Sequence, residues 1–183
     1  DIIDNIANKM KVDPWLSGLL KNNSISVNSQ VTFDNLEPIS AFLGKVGNPE
    51  EGGLQIDEFV RRQGLFLEAE IKAMYDVPSF IERSQKSGCQ HFINDAGGSL
   101  CELGDTKLYK LLSENTLIIY IKASESNQQA LIKRAKKIPK PVYYHPDFFQ
   151  SALNDYLKEK HVAYVAQINP DDFVRWVFPK LVA

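Results

Sequence analysis

Residues 90–105 read QHFINDAGGSLCELGD. The apolar HFI meets Asn94 and Asp95, then Gly97 and Gly98, and Ser99 stands three residues before Glu102 in capping-box register. An acid, a flexible glycine pair and a helix start this close together suit a ligand site at the carboxyl end of a strand, where open α/β sheets bind their ligands. The glycines allow close backbone approach, and free N–H groups at a helix start suit an anion. Asp95 has the chemistry to bind a metal ion, orient a hydroxyl or take a proton. The same residues also suit a plain strand-to-helix turn in which Asp and Gly serve conformation alone.

A second concentration of chemistry lies in residues 122–140. Lys122, Lys133, Arg134, Lys136, Lys137 and Lys140 face one acid there, Glu125; this local balance of +5 in a chain of net charge −2 leaves −7 for the rest. Arg clamps phosphate bidentately and Lys as a point charge. The alternative is a solvated helix end whose cations complement the helix C-terminus. The aromatic run VYYHPDFF, with Tyr143, Tyr144, Phe148 and Phe149, suits core packing beneath a loop better than stacking on a base. His145, before Pro146, reads as a turn residue, and Trp15 and Trp176 read as core.

The elements that must position these groups follow from periodicity. Helices are predicted over 1–11, from Pro14 through PWLSGLLKN, and over 36–46. A long one holds Ile56, Phe59, Val60, Gln63, Phe66, Leu67, Ile71 and Met74 on one face, with Asp57, Arg61, Arg62, Glu68 and Lys72 largely on the other. Pro78 interrupts it and Gly88 ends it; GNPEEGG is the strongest loop signal. Further helices are predicted over 105–114, 126–137 (opened by Ser126), 146–160 and 171–181 (capped by Asn169-Pro170), and strands over 90–94, 116–123 and 163–168. TLIIYIKA, apolar almost throughout, reads as a strand covered on both faces. The expected fold is α/β: a parallel sheet of three visible strands with flanking helices and right-handed crossovers, plus a helical N-terminal half. It forms a single domain over 1–183, with 1–88 mainly helical and 89–183 the alternating core.

Composition, at 44% hydrophobic and 24% charged, is that of a globular protein. The near-balanced charge argues against a general attraction to nucleic acid or membrane, and no apolar run approaches the roughly 20 residues of a membrane span. With no leader segment visible, a cytoplasmic location is expected, with Cys89 and Cys101 as reduced thiols. Neither these cysteines nor His91, His145 and His161 has zinc-type spacing, so no metal site is expected from them. The chain begins at Asp1 inside a helical pattern, as expected of a processed fragment or of a sequence confined to ordered residues.

The order HFINDAGGS, TLIIYIKAS, LIKRAKKIPKP, then helix, strand and helix, resembles the second half of a P-loop small-molecule kinase of the shikimate or gluconate kinase type. DAGGSLCEL together with DEFVRRQ is similar to a family of bacterial proteins labelled "ATPase". The resemblance implies an ATP-dependent phosphotransferase or ATPase, with ATP and Mg²⁺ as cofactors and a small acceptor as partner. Asp95 and Arg134 would be catalytic, and Asn94, Gly97, Gly98 and Ser99 would shape the acceptor site. Arg134, Lys136, Lys137 and Lys140 would form a phosphate lid, and the helical region would cover the acceptor. It also implies that strands 90–94 and 116–122 are separated by another strand, about 10 Å apart. The phosphate-binding G-x-x-x-x-G-K-[ST] does not occur in the chain; in the resembling kinases it follows the first strand, upstream of where Asp1 would fall. The rival expectation is a non-catalytic α/β binding or regulatory module with its helical half as partner surface.

Overall fold

The computed structural model describes residues 2–22, 41–94 and 100–182. Among these the chain is predominantly helical: α1 (Ile2–Val12), α2 (Pro14–Asn22), α3 (Ile56–Tyr75), α4 (Val77–Lys86), α5 (Thr106–Asn115), α6 (Glu125–Lys137), α7 (Pro146–Glu159) and α8 (Pro170–Leu181). Short 3-10 turns occupy Pro49–Glu51, Leu100–Glu102 and Val165–Gln167. The chain forms two compact units, one of Asp1–Asn35 with Leu65–Tyr120, the other of Leu36–Gly64 with Ile121–Ala183.

The helix boundaries are local chemistry. Asp105 opens α5 by accepting the N–H groups of Lys107 (2.9 Å) and Leu108 (3.0 Å). Asn169 opens α8 by accepting from Asp172 N–H at 3.0 Å, with Pro170 in the first turn. Pro78 lacks the N–H that α3 would need in order to continue, and sits in the first turn of α4, where that donor has no helical partner in any case. One cap shifts from expectation: Ser124, not Ser126, opens α6, accepting from Asn127 N–H at 3.3 Å.

In the first unit, Val77, Leu103, Leu108 and Leu112 form a buried cluster flanked by Leu67, Ile71, Met74 and Ile81. Thus the stripe predicted for α3 faces a core at Leu67, Ile71 and Met74, whereas Val60, placed on the same stripe, is 50% exposed. In the second, Phe59, Tyr144, Phe149, Leu153, Tyr156, Ile168, Phe173 and Val177 are buried together. Ring centroids of Phe59 and Phe149 lie 4.9 Å apart, and Tyr156 meets Phe173 edge-on at 5.2 Å. Tyr144 and Phe149 of VYYHPDFF are therefore core, with Val142 and Phe148 packed against it, as expected of core packing beneath a loop. Trp176 packs edge-on against Tyr156, whereas Trp15 is 40% exposed and does not behave as core. Arg62 also departs from the outer face predicted for it. Its Nε holds Glu58 at 2.7 Å and its Nη1 donates to the Phe42 carbonyl at 3.1 Å.

GNPEEGG is a tightly tied loop. Gly47 N–H donates to Leu54 O at 3.0 Å, Leu54 N–H to Lys45 O at 2.7 Å, and Asn48 N–H to Ile168 O at 2.8 Å. The first two bonds make an isolated parallel bridge between Val46 and Leu54, and the third ties the loop to Ile168.

The expected α/β fold is overturned. Among the described residues that bridge is the extent of β-structure; no strand and no sheet form. Residues 90–94 are irregular, with Ile93 91% exposed. Residues 116–123 are irregular and largely exposed, and 163–168 contain the turn Val165–Gln167, closed locally by Tyr164 N–H donating to Gln167 Oε1 at 3.3 Å. A strand exists only with a neighbour to satisfy its backbone. Apolar composition and β-branching are compatible with a strand but do not supply that neighbour. The expected gap between strands 90–94 and 116–122 has no strands to separate. The P-loop kinase architecture falls with the sheet, and nothing among the described residues supports the ATP-binding that it implied.

Candidate functional site

Of the acceptor-site residues, Asp95, Gly97, Gly98 and Ser99 lie outside the described residues. Asn94 is exposed, with its Nδ2 3.9 Å from the Met74 sulfur, and Phe92 lies against Phe80 with ring centroids 6.5 Å apart. Beyond the loop, Leu100–Glu102 is a 3-10 turn and Leu103 is buried. Gly104, at φ +65°, donates its N–H to the Tyr109 hydroxyl at 2.9 Å. The first α-helix after the loop thus begins at Thr106, capped by Asp105. The Asp105 carboxylate also accepts the Tyr75 hydroxyl at 2.9 Å. The Leu108 N–H, then Tyr75, hold it below the ordinary carboxylate range.

Next to this flank sits a group that the sequence reading passed over. Glu70 is buried on the inner side of α3, and burial first, then the nearby Glu102 carboxylate, pushes its carboxyl up to about 7. It falls three residues after Leu67 and four before Met74, on the apolar stripe itself. An acid at that register was the available signal.

The basic residues belong to the second unit. α6 turns half-buried Leu131, Ile132 and Ala135 to one side, and the Arg175 Nε of α8 donates to the Lys136 carbonyl at 3.0 Å. Arg175 is itself held by Asp172 at 2.8 Å and Asp171 at 3.5 Å. Lys133, Arg134, Lys136, Lys137 and Lys140 are all exposed, and so is Lys122. None of the six makes an ion pair with a described residue, whereas Lys45 holds Asp171 at 2.6 Å and Arg62 holds Glu58. Lys133, Arg134, Lys136, Lys137 and Lys140 are thus brought together at one helix end. Asn94 belongs to the first unit.

A third feature is the link between α5 and α6. Thr116 leaves α5 extended (φ −139°, ψ 158°), its N–H bonded to the Leu112 carbonyl, and Ser124 enters α6 extended. Between them Leu117 and Ile121 are each 87% exposed, Tyr120 81%, Ile119 76% and Ile118 50%. The backbone of 117–122 makes no hydrogen bond to a described residue. Side chains of both parities are uncovered, so the exposure is not one face of a half-buried strand.

Among the described residues no three His, Cys, Asp or Glu side chains converge as a metal site would require. Cys89 and Cys101 are exposed free thiols. No helix among them is long and apolar enough to cross a membrane. Comparison of the chain with models of known protein families, with characterised proteins and with solved structures finds no match.

Proposed function

We propose that the chain is a protein-binding module that takes up an extended strand of a partner polypeptide along residues 117–121. The observation that carries this reading is the exposure of Leu117, Ile118, Ile119, Tyr120 and Ile121 in succession, with their backbone groups unbonded to any described residue. Isolated exposed apolar side chains are ordinary, but a contiguous exposed apolar stretch is the mark of an interaction site. β-branched and aromatic residues suit a pleated pairing surface. A docking helix would cover side chains on one side and leave the N–H and C=O groups to water. An added strand satisfies backbone and side chains together. Burying a large apolar side chain is worth roughly 1.5–3 kcal/mol. Five of them exceed the lower estimates of the cost of association, about 4 kcal/mol, without requiring tight binding. Lys122 closes the run with a charge, as exposed edges commonly do against aggregation.

The test uses a soluble Thr/Val-alternating strand peptide flanked by lysines, and the same peptide N-methylated at every amide of the alternating segment, so that neither of its edges can pair. The unmodified peptide should slow amide exchange at 117–122 by about tenfold or more, a 1.4 kcal/mol effect. Ile119→Asp should abolish that protection without altering the helical circular dichroism. Equal protection by the N-methylated peptide, or none by either, would reject strand addition.

A further inference from the structure

Lys122, Lys133, Arg134, Lys136, Lys137 and Lys140 form the strongest charge feature of the second unit, and none of them is ion-paired with a described residue. In that unit Lys45, Arg62, Lys160 and Arg175 each meet a carboxylate. The six residues of 122–140 meet none among the described residues. A helix C-terminus carries only about half a negative charge, so the Arg134, Lys136 and Lys137 of the last turn of α6 exceed what their own helix neutralises. Leu131, Ile132 and Ala135 mark the covered side of α6. At about 100° per residue, Lys133 and Lys137 project from the opposite side and Arg134 from the flank. The Arg175 bond to the Lys136 carbonyl fixes the helix end that presents them.

We propose that this exposed end of α6 docks an acidic peptide segment. It adds a charge to the partner of the binding-module reading, and rests on that reading only in taking the partner to be a polypeptide. Scale and charge favour a peptide over nucleic acid. Duplex DNA brings one negative charge per roughly 1.7 Å of its axis and would run past the 13-residue α6. The same unit exposes Glu50, Glu51, Asp147, Asp155 and Glu159, and the chain outside 122–140 carries −7. A short acidic segment meets the basic end alone. Five of the six cations are lysines, which suit separate carboxylates as point charges better than they grip phosphate bidentately.

The probe is a fluorescent hexaglutamate peptide added to the whole chain, with a short DNA duplex and phosphatidylcholine vesicles containing phosphatidylserine as the other arms. Hexaglutamate should bind, weaken as salt rises past the physiological Debye regime, and lose about tenfold or more in affinity in the triple variant Lys133→Gln, Arg134→Gln, Lys137→Gln. All three side chains are exposed, so the variant should keep its circular dichroism. Ile119→Asp should leave hexaglutamate binding unchanged. Loss of strand-peptide protection with hexaglutamate binding intact therefore sinks only the strand-addition reading. Failure of hexaglutamate to bind, equal binding by the triple variant, or tighter binding of duplex or vesicles overturns the acidic-peptide site.

Discussion

Gln63 and Tyr144, 81 residues apart, are joined by a buried hydrogen bond: Tyr144 N–H donates to Gln63 Oε1 at 3.0 Å. The same amide donates through Nε2 to the Val142 carbonyl at 3.4 Å. One side chain thus satisfies two groups of a non-helical backbone segment, as a neighbouring strand would, and fastens residues 142–144 to α3.

Gln63→Leu should therefore destabilise the protein by about 1–3 kcal/mol despite its apolar fit, because the Tyr144 N–H and Val142 C=O lose their partner away from water. Urea denaturation reads this as a lower midpoint at unchanged slope. A midpoint equal to that of the unsubstituted chain would show that the two backbone groups find other partners.

Gly47 and Gly52 both have positive φ, at +144° and +80°, but differ in their surroundings. A Cβ at Gly47 would stand 2.5 Å from the Ile168 carbonyl oxygen, while one at Gly52 meets nothing within 4 Å. Gly47→Ala should cost roughly 2–3 kcal/mol and Gly52→Ala about 1 kcal/mol, the latter from backbone conformation alone. Thermal unfolding of the two variants compares them directly. Equal shifts would mean that the loop is not held against Ile168.

Glu70 sets a pH dependence. Its carboxyl rises on folding from 4.5 to about 7, so the folded state holds the proton more tightly than the unfolded chain does. This contribution is most favourable below pH 4.5, declines as pH rises through 7, and is fully lost above. Glu70→Gln should stabilise the protein above pH 7 by on the order of 2–3 kcal/mol and flatten that part of its stability profile. A variant with the same slope between pH 5 and 8 as the parent would place the titration elsewhere.

What was legible in the sequence divides along the range of the interactions concerned. The helices were readable because their information is local: Asp105 and Asn169 announce starts, Pro78 announces a break, and the stripe through Phe59, Gln63 and Leu67 announces a buried side. The sheet was misread because pairing is a relation between segments. TLIIYIKA looks alike whether neighbours flank it or not, and 163–168 was captured by a turn that Tyr164 and Gln167 close between themselves. The basic end of α6 was visible as composition, but Asp95, Gly97, Gly98 and Ser99 lie outside the described residues. Glu70 was overlooked because the stripe was traced through uncharged residues alone, whereas its register placed it inside.

The second unit is assembled from Leu36–Gly64 and Ile121–Ala183, with the whole of Leu65–Tyr120 between them in the chain. Phe59 is synthesised early, yet the residues that bury it, Phe149, Phe173 and Val177 among them, come more than eighty residues later. On the ribosome, at about 5–20 residues per second, the amino-terminal part of this core waits several seconds, uncovered, for the last helix to emerge. A nascent chain stalled anywhere before Val177 therefore presents an unfilled half-core to the cell's chaperones, and emergence of α8 becomes the step that permits this unit to fold.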